Sequence, residues 1–462
     1  MEGAAIAVST IFVKMDGLYS RRIDKNQVRL KAFSVGSTKD VQPQYPVTVQ
    51  AEAMTKSGVK KWERSLNKLN GSTTIGNAKD MIDLGIQFQK HLREGDTKLI
   101  LPVIAYYGTG RLWDYHREKQ SDVFETNNRM NGYMDCVDGT ANIKLMMNWF
   151  AKMTVRKYQN QELGLEGIPE LEAVYAAMET CYKKITGNDE VKMQYNVGTK
   201  ELEVAYRDES GELMRIPINQ LSDGYKSTIS LVADIAYRMA ALNPQLLGNV
   251  CRETDGVVLI DEVDLHLHPT WQQRILGDLT EIFPKVQFIV STHAPAVINT
   301  VKSENIILLD DGMAYEPSGE VHGKDTNTII SGIMHSSERP MEIKALFQKF
   351  YHFIDCEEIE NAEQILNQLK EKIGGSSMEL GGNEDGFNRA FGEQMADSVD
   401  IAILVGKKHT QPIVDGLTKA GFPQENIHVV GSLEESTTLL HGMMRSGDVV
   451  LYENDLPDNY SE

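Results

Sequence analysis

The sequence predicts an α/β protein built on a parallel sheet with a site at the sheet's carboxyl edge, and three segments carry that prediction. Gly256-Val257-Val258-Leu259-Ile260-Asp261-Glu262 is an aliphatic run that ends in two adjacent carboxylates. Thirty residues on, Val286-Gln287-Phe288-Ile289-Val290-Ser291-Thr292-His293 repeats the pattern with a histidine at its tip. From Gly374 onward the chain alternates again: strand Asp400 to Val405, helix Gln411 to Ala420, strand Asn426 to Val430, helix Leu433 to Met444, strand Asp448 to Tyr452. Such alternation implies parallel pairing.

The first strand justifies itself by composition. Val257, Val258, Leu259 and Ile260 are four consecutive aliphatic residues, three of them β-branched, as in a strand buried on both faces. Asp261 and Glu262 therefore emerge at the carboxyl end of the strand, where open α/β sheets hold their ligands. One carboxylate there can hold Mg²⁺ through water, and the next can orient or deprotonate a water that attacks a phosphate. An isolated Asp-Glu after such a run is as often a plain loop pair. His293, placed to hydrogen-bond a terminal phosphate, and the segment upstream give it context. Leu221-Ser222-Asp223-Gly224 precedes a helical run from Thr228 to Ala241, so Ser222, Gly224 and the following amides would form a helix start aimed at an anion. The simpler reading of Ser222 is an N-cap contributing about 1 kcal/mol, and the two roles can coexist.

Composition bounds the rest. A chain of 462 residues forms two or three domains, and 41% hydrophobic with 7% aromatic residues is ordinary for globular proteins. Cys136, Cys181, Cys251 and Cys356 lie far apart without CxxC spacing, which argues for reduced core thiols rather than a zinc ribbon or disulfide framework. With no signal-peptide pattern and no 18-residue apolar run, the expectation is a cytoplasmic protein that does not span a membrane. The net charge of −19 disfavours direct non-specific binding to nucleic acid, leaving such contact to a partner. The densest basic stretch, Lys14, Arg21, Arg22, Lys25, Arg29 and Lys31, is expected to be a solvated loop after the first helix.

These motifs resemble a known family. Leu221-Ser222-Asp223-Gly224 looks like the signature loop of ABC-type ATPase heads, Leu259-Ile260-Asp261-Glu262 like their Walker B strand, Asp264 like the D-loop, and Ser291-Thr292-His293 like the switch-histidine strand. The longer run DEVDLHLHPTWQQ resembles soluble SMC-like ATPases of overcoming-lysogenization-defect type and of bacterial anti-phage systems. Leu101-Pro102-Val103-Ile104-Ala105-Tyr106-Tyr107-Gly108-Thr109-Gly110-Arg111-Leu112-Trp113, with Tyr45-Pro46-Val47 and Trp62-Glu63-Arg64 before it, resembles the PtuA-type ATPase of Septu and certain retron defence systems. Tyr106 to Arg111 would lie near the Q-loop, with Tyr107 as its nucleotide-binding residue. The resemblance spans roughly residues 1 to 335 and implies an ABC/SMC-like P-loop NTPase head.

A phosphate loop needs G-x-x-x-x-G-K-[ST], whose amides wrap the phosphates while Lys and Ser or Thr serve charge and Mg²⁺. Gly323-Lys324-Asp325, Gly406-Lys407-Lys408 and Gly224-Tyr225-Lys226-Ser227 each fail the pattern. Residues Met1 to Val8 look like the helix that would follow the loop, so the sequence starts just past the expected Lys and Thr. Two explanations stay open: a truncated start, or a protein that has dispensed with the loop. A sheet lacking its first strands is expected to leave an exposed edge and a cavity against the Walker B strand.

Residues 115 to 195 are expected to be a largely helical insert, for example Ile168 to Ile185 with Leu171, Val174, Tyr175, Met178 and Tyr182 at helical spacing and no sustained heptads. Asn305 to Leu309 is expected to be the strand that closes the head, and Gly312 to Thr328 a polar loop. Pro340 to Ile373 predicts two amphipathic helices, the first bearing Phe347, Phe350, Tyr351 and Phe353, within a helical linker at 336–373. Gly374-Gly375-Ser376-Ser377 is a linker-like break. The remainder to Glu462 carries 5 basic and 15 acidic residues. Met378-Glu379-Leu380-Gly381, Ile403 to Lys408, Gly421-Phe422-Pro423 and Gly447 to Tyr460 resemble the end of a Mur ligase C-terminal domain of MurF-like type, a small Rossmann-like α/β unit. The parts a ligase needs are missing, so the expectation there is a retained packing or interaction module.

The resemblance to SMC-like ATPases implies ATP and Mg²⁺ as cofactors. In that scheme Asp261 holds the metal through water, Glu262 acts as general base and His293 senses the γ-phosphate, while Ser222 and Gly224 cap the nucleotide of a second head. It also implies a homodimer or higher oligomer and an HNH-type nuclease subunit as partner. The alternatives are a non-hydrolysing nucleotide-sensing scaffold and, remotely, a Mur-type amino-acid ligase.

Overall fold

A computed structural model describes residues 1–112, 128–139, 143–207, 211–310, 312–334, 336–337, 339–355, 358–373, 384–396, 398–406, 410–445 and 450. The chain divides into two compact units, Met1–Ser336 and Ser337–Glu462.

The first unit opens with helix α1 (Glu2–Val8), which runs into a 3₁₀ turn at Ser9–Phe12. Two antiparallel hairpins follow. β1 (Leu30–Val35) pairs with β2 (Thr38–Pro43), and β3 (Val47–Thr55) pairs with β4 (Gly58–Leu66). Helix α2 (Lys79–Arg93) leads to β5 (Val103–Tyr107), whose five residues are all buried. Helices α3 (Ile143–Glu162) and α4 (Pro169–Thr186) come next, and then the antiparallel sheet of β6 (Val191–Asn196), β7 (Glu201–Arg207) and β8 (Leu213–Pro217). α4 starts on Pro169, whose missing N–H costs nothing at a first helical position, and stops at Gly187, left-handed at φ 72°.

Helix α5 (Asp223–Leu242) is the spine of the unit, with most of its residues buried. After the short α6 (Val250–Glu253) comes β9 (Gly256–Ile260), followed by α7 (Pro269–Gln272) and α8 (Ile275–Ile282). β10 (Val286–Val290), α9 (Pro295–Ile298), β11 (Leu308–Asp310), β12 (Met313–Tyr315) and α10 (Thr326–Gly332) complete the unit.

The central sheet is parallel, in the order β10-β9-β5. Val286 pairs with Gly256 and Val103 pairs with Gly256 from the other side, so all three strands start level. Gly256 is dictated by packing: a Cβ there would lie 2.0 Å from the Val103 carbonyl oxygen. Val258 and Ile260 face the main core with α5, whereas Leu259 meets Ala5 of α1 and Tyr106. The expected cavity against this strand is therefore filled by α1, with Met1, Ala4 and Val8 packed alongside. The outer edge of β5 is covered as well, because Tyr106 N donates to Cys136 O (2.7 Å) and Gly108 N to Gly139 O (2.7 Å). At the opposite edge β10 pairs with no further strand among the described residues, and Ile289 is 39% exposed.

Two expectations need correction. The strand expected at Asn305–Leu309 to close the head begins later, after a 3₁₀ turn at Ser303–Asn305, and among the described residues β11 pairs with β12 alone. Gly312, left-handed at φ 76°, allows the tight reversal that makes this hairpin, so the supposed polar loop holds a strand and the start of a helix.

The second unit holds α11 (Met341–Asp355) and α12 (Ile359–Ile373), whose apolar faces form a small core of Leu346, Phe347, Phe350, Ala362 and Leu369. Phe353 packs against it, while Tyr351 stays 38% exposed. α13 (Glu384–Met395) and α14 (Gln411–Lys419) interlock at Gly392 and Gly416, where added Cβ atoms would fall about 2 Å from backbone oxygens of the facing helix. β13 (Ala402–Val405) pairs in parallel with β14 (Ile427–Val430), and α15 (Leu433–Met443) follows. Met378–Gly381, Lys407-Lys408 and most of the Mur-like Gly447–Tyr460 segment, with the strand expected at Asp448–Tyr452, lie outside the described residues.

Candidate functional site

The parallel register brings three strand ends side by side, Tyr107 and Val290 both paired with Ile260. The ladder runs one residue further, as Asp261 N donates to Tyr107 O (2.8 Å) and Ser291 N donates to Ile260 O (3.0 Å). Then the chain turns. Glu262 takes a left-handed backbone, φ 47°, a conformation that costs a non-glycine residue roughly 1–3 kcal/mol. Ser291 holds that turn in place: its hydroxyl oxygen accepts from Glu262 N (2.9 Å), and its carbonyl accepts from Val263 N (3.0 Å).

The same Ser291 hydroxyl donates to the Asp261 carboxylate. One side chain thus fixes both the acceptor carboxylate at the strand end and the backbone that aims Glu262. Thr292 repeats the device one residue on, donating to Asp264 Oδ1 while accepting from Ala294 N (3.0 Å). Asp261, Glu262 and Asp264 are half-buried, and His293 is exposed at the adjoining strand end.

A second layer lies under the carboxylates. The Tyr106 hydroxyl donates to Glu2 Oε1 (3.3 Å), and the Arg21 guanidinium sits 5.0 Å from the Tyr106 ring centre while pairing with Glu2 at 2.6 Å. Burial pushes the Tyr106 phenol up to about 12, and the negative charges of Glu2 and Asp261 push the same way, which puts the ring within electrostatic reach of Asp261. Arg21 was expected to belong to a solvated loop; Glu2 and the Tyr106 face instead hold it against the sheet end.

Tyr107 points the other way. Its hydroxyl donates to Asp234 Oδ2 (2.7 Å) in the interior, and that carboxylate pairs with Arg238 (2.7 Å), both side chains only 1% exposed. Burial, and then Asp234, raises the Tyr107 phenol well above its usual value. Arg238 also donates to the carbonyls of Gly132 (3.0 Å) and Met134 (2.9 Å). Tyr107 thus meets the carboxylate cluster through its backbone carbonyl alone, because strand alternation sends its ring to the α5 face.

Ser222 occupies the N-cap position of α5, but its hydroxyl makes no cap hydrogen bond; the first turn closes through its carbonyl, which accepts from Lys226 N (2.9 Å). Asp223 pairs with Lys226 at 2.9 Å, and that bond lowers its carboxyl below the usual range, with His266 adding a smaller pull. Gly224 is buried. A Cβ on it would lie 2.8 Å from His266 O and 3.0 Å from Trp271 Cζ3. The structure therefore joins Asp261, Glu262 and Asp264 through Ser291 and Thr292, and joins the Ser222–Gly224 turn to the segment that follows Asp264. Ser291 and Thr292 as holders were not foreseen. Their signal was available, since two hydroxyl residues directly follow an aliphatic strand opposite the Asp-Glu pair.

The donor set suits an ion that keeps its waters. Asp261, oriented by a hydroxyl behind it, fits a Mg²⁺ held through water. Among the described residues no group of three or more His, Cys, Asp and Glu converges as a full protein cage. No G-x-x-x-x-G-K-[ST] occurs in the 462 residues, and the carboxylates past β9 fit the metal side of a nucleotide site.

Residues 156–299, which contain the Ser222 turn, both carboxylates and His293, match the profile of the family described as "AAA domain, putative AbiEii toxin, Type IV TA system". The chain is similar to AAA-family ATPases of retrons: it is 29% identical over 327 residues to the "Retron Ec83 probable ATPase" of Escherichia coli, covering 59% of this chain and 60% of that protein. It is 30% identical over 315 residues to the "Retron Vc95 probable ATPase" of Vibrio cholerae, covering 58% and 60%. It is also 31% identical over 175 residues to the Septu protein PtuA of Bacillus mycoides, covering 34% of this chain and 23% of that one. The chain thus spans about three fifths of the length of the retron relatives.

Among solved structures, the SMC head domain from Thermotoga maritima aligns over 60% of this chain and 75% of its own at 16% identity and a TM-score of 0.27. The SmcHead bound to the C-winged helix domain of ScpA aligns over 68% and 86% at 14% identity and 0.32. No helix among the described residues is long and apolar enough to cross a membrane.

Proposed function

We propose that the chain is the ATP-binding, ATP-hydrolysing subunit of a prokaryotic anti-phage complex, an SMC-like head that controls an associated nuclease. The observation that supports this reading is the grip of Ser291 on the Asp261 carboxylate and on the Glu262 backbone; Asp261 would hold a hydrated Mg²⁺ and Glu262 would orient the attacking water. His293, exposed one strand over, would contact the terminal phosphate. Ser222 and Gly224 would cap the nucleotide of a second head in a homodimer or higher oligomer. Similarity to retron ATPases and to PtuA supports the defence setting, and an HNH-type nuclease is the partner proposed. In a cytoplasmic complex of this kind, nucleic acid would be met mainly through that partner, in keeping with the net charge of −19.

Phosphate release from MgATP by purified chain, falling at least a hundredfold in Glu262→Gln, is the expected result. Unchanged release in that variant would sink the assignment of the base. A second reading is a nucleotide-sensing scaffold that does not turn over. Under it, purified chain binds labelled ATP or dimerises with it, and releases no phosphate.

A further inference from the structure

Between Glu262 and Trp271 the chain is a relay of short turns. Leu265 N donates to Glu262 O (3.0 Å) and Leu267 N to Asp264 O (3.0 Å), while Glu262 and His266 both hold left-handed backbones at φ 47° and 65°. Leu267 is buried in the main core, and Trp271 N donates to His268 O (2.8 Å) to start α7. At its far end this relay presses on the start of α5. The Trp271 ring and the His266 carbonyl close over Gly224, leaving no room for a Cβ, and Trp271 meets the Tyr225 ring edge-on at 4.5 Å and 67°. Tyr225 in turn lies 6.0 Å from Tyr182 of α4, so the contact is braced from behind.

We propose that Trp271 is a positioning residue that ties the Ser222–Gly224 turn to the Asp261–Asp264 segment of the same chain, so that the two shift together. The proposal rests on the reading that Ser222 and Gly224 serve a second head while Asp261 and Glu262 serve their own. In such a dimer each chain gives one half to each of two sites, and Trp271 would make the state of one site felt at the other. Spatial continuity alone does not establish coupling; non-additive substitution does.

The test is amide hydrogen exchange on the full chain without nucleotide. Trp271→Ala is expected to speed exchange at residues 222–228 about tenfold, and Trp271→Phe to restore it to within about twofold, with β6 and β7 unchanged as a check on folding. Asp264→Asn, which weakens the Thr292 bond, is expected to speed exchange at 222–228 in the otherwise native chain and to add nothing in the Trp271→Ala background. Strictly additive effects, or no effect of Asp264→Asn on that turn, would overturn the proposal. If Trp271→Ala unfolds the first unit, Trp271→Leu replaces it in the same cycle. Because no nucleotide is used, failure here leaves the ATPase reading standing, and absence of phosphate release leaves this coupling standing.

Discussion

Ser291 is the residue on which the site's geometry turns. With its hydroxyl removed, Asp261 loses its orienting donor and the left-handed Glu262 loses the acceptor on its N–H. Ser291→Ala is expected to lower phosphate release by roughly 10- to 100-fold, the usual cost of losing an outer-shell partner, with the circular dichroism spectrum unchanged. A native rate would show that the carboxylates aim themselves. The buried thiols give a second test at this scale. Burial pushes Cys136, Cys181 and Cys251 up to about 12 from an ordinary 9. The native chain is expected to leave these three unlabelled by iodoacetamide at pH 8, and denaturant to release them. Their linkage to stability has a definite sign. A thiol whose value is higher in the folded state contributes fully below pH 9, and loses that contribution as pH rises toward 12. Urea midpoints should therefore fall as the pH rises from 9 toward 12.

At the scale of elements, α5 carries the heaviest stake. Asp234 and Arg238 sit four residues apart on it, a spacing that in sequence looks like an ordinary surface pair. Burial comes from distant partners, namely the Tyr107 hydroxyl and the carbonyls of Gly132 and Met134. Arg238→Ala leaves the Asp234 carboxylate buried without its partner, and is expected to destabilise the first unit by about 3–5 kcal/mol in urea unfolding. A loss under 1 kcal/mol would mean that water reaches Asp234.

The same contrast explains what could be read from sequence alone. α4 announces itself by apolar spacing, Pro169 and Gly187, and β9 and β10 by aliphatic runs that end in polar residues. The β1–β2 hairpin gives no such signal, since β1 is exposed along its whole length and its register depends on the Val35–Thr38 turn. The position of Asp261, Glu262 and Asp264 just past the end of β9 was legible from the aliphatic run before them; the inward turn of Tyr107 and the seat of Arg21 depend on which face β5 shows, which no local pattern fixes.

For the whole molecule, the two compact units have separate cores, the second built on Phe350, Leu369 and, apart from these, Leu404 and Leu417. Arg238→Ala should therefore move the unfolding of residues 1–336 while exchange in α14 and β13 holds its native rate. Charge acts at this scale too. At −19 the chain alone is expected to leave a 40-base-pair duplex unshifted at about 0.15 M salt, and a tight complex there would reveal a concentrated basic face that outweighs the total.

Gly256 has a consequence for how such a chain can vary over evolution. Its missing Cβ lets β9 lie against the Val103 carbonyl, which fixes the starting point of the strand, and Asp261 stands five residues beyond that point. One residue gained or lost between Gly256 and Glu262 would reverse the faces of the strand and exchange the two carboxylates. Descendants of a common ancestor should accordingly keep this interval free of insertions and deletions while tolerating them in connecting loops, so that its length is inherited more strictly than the identity of the aliphatic residues that fill it.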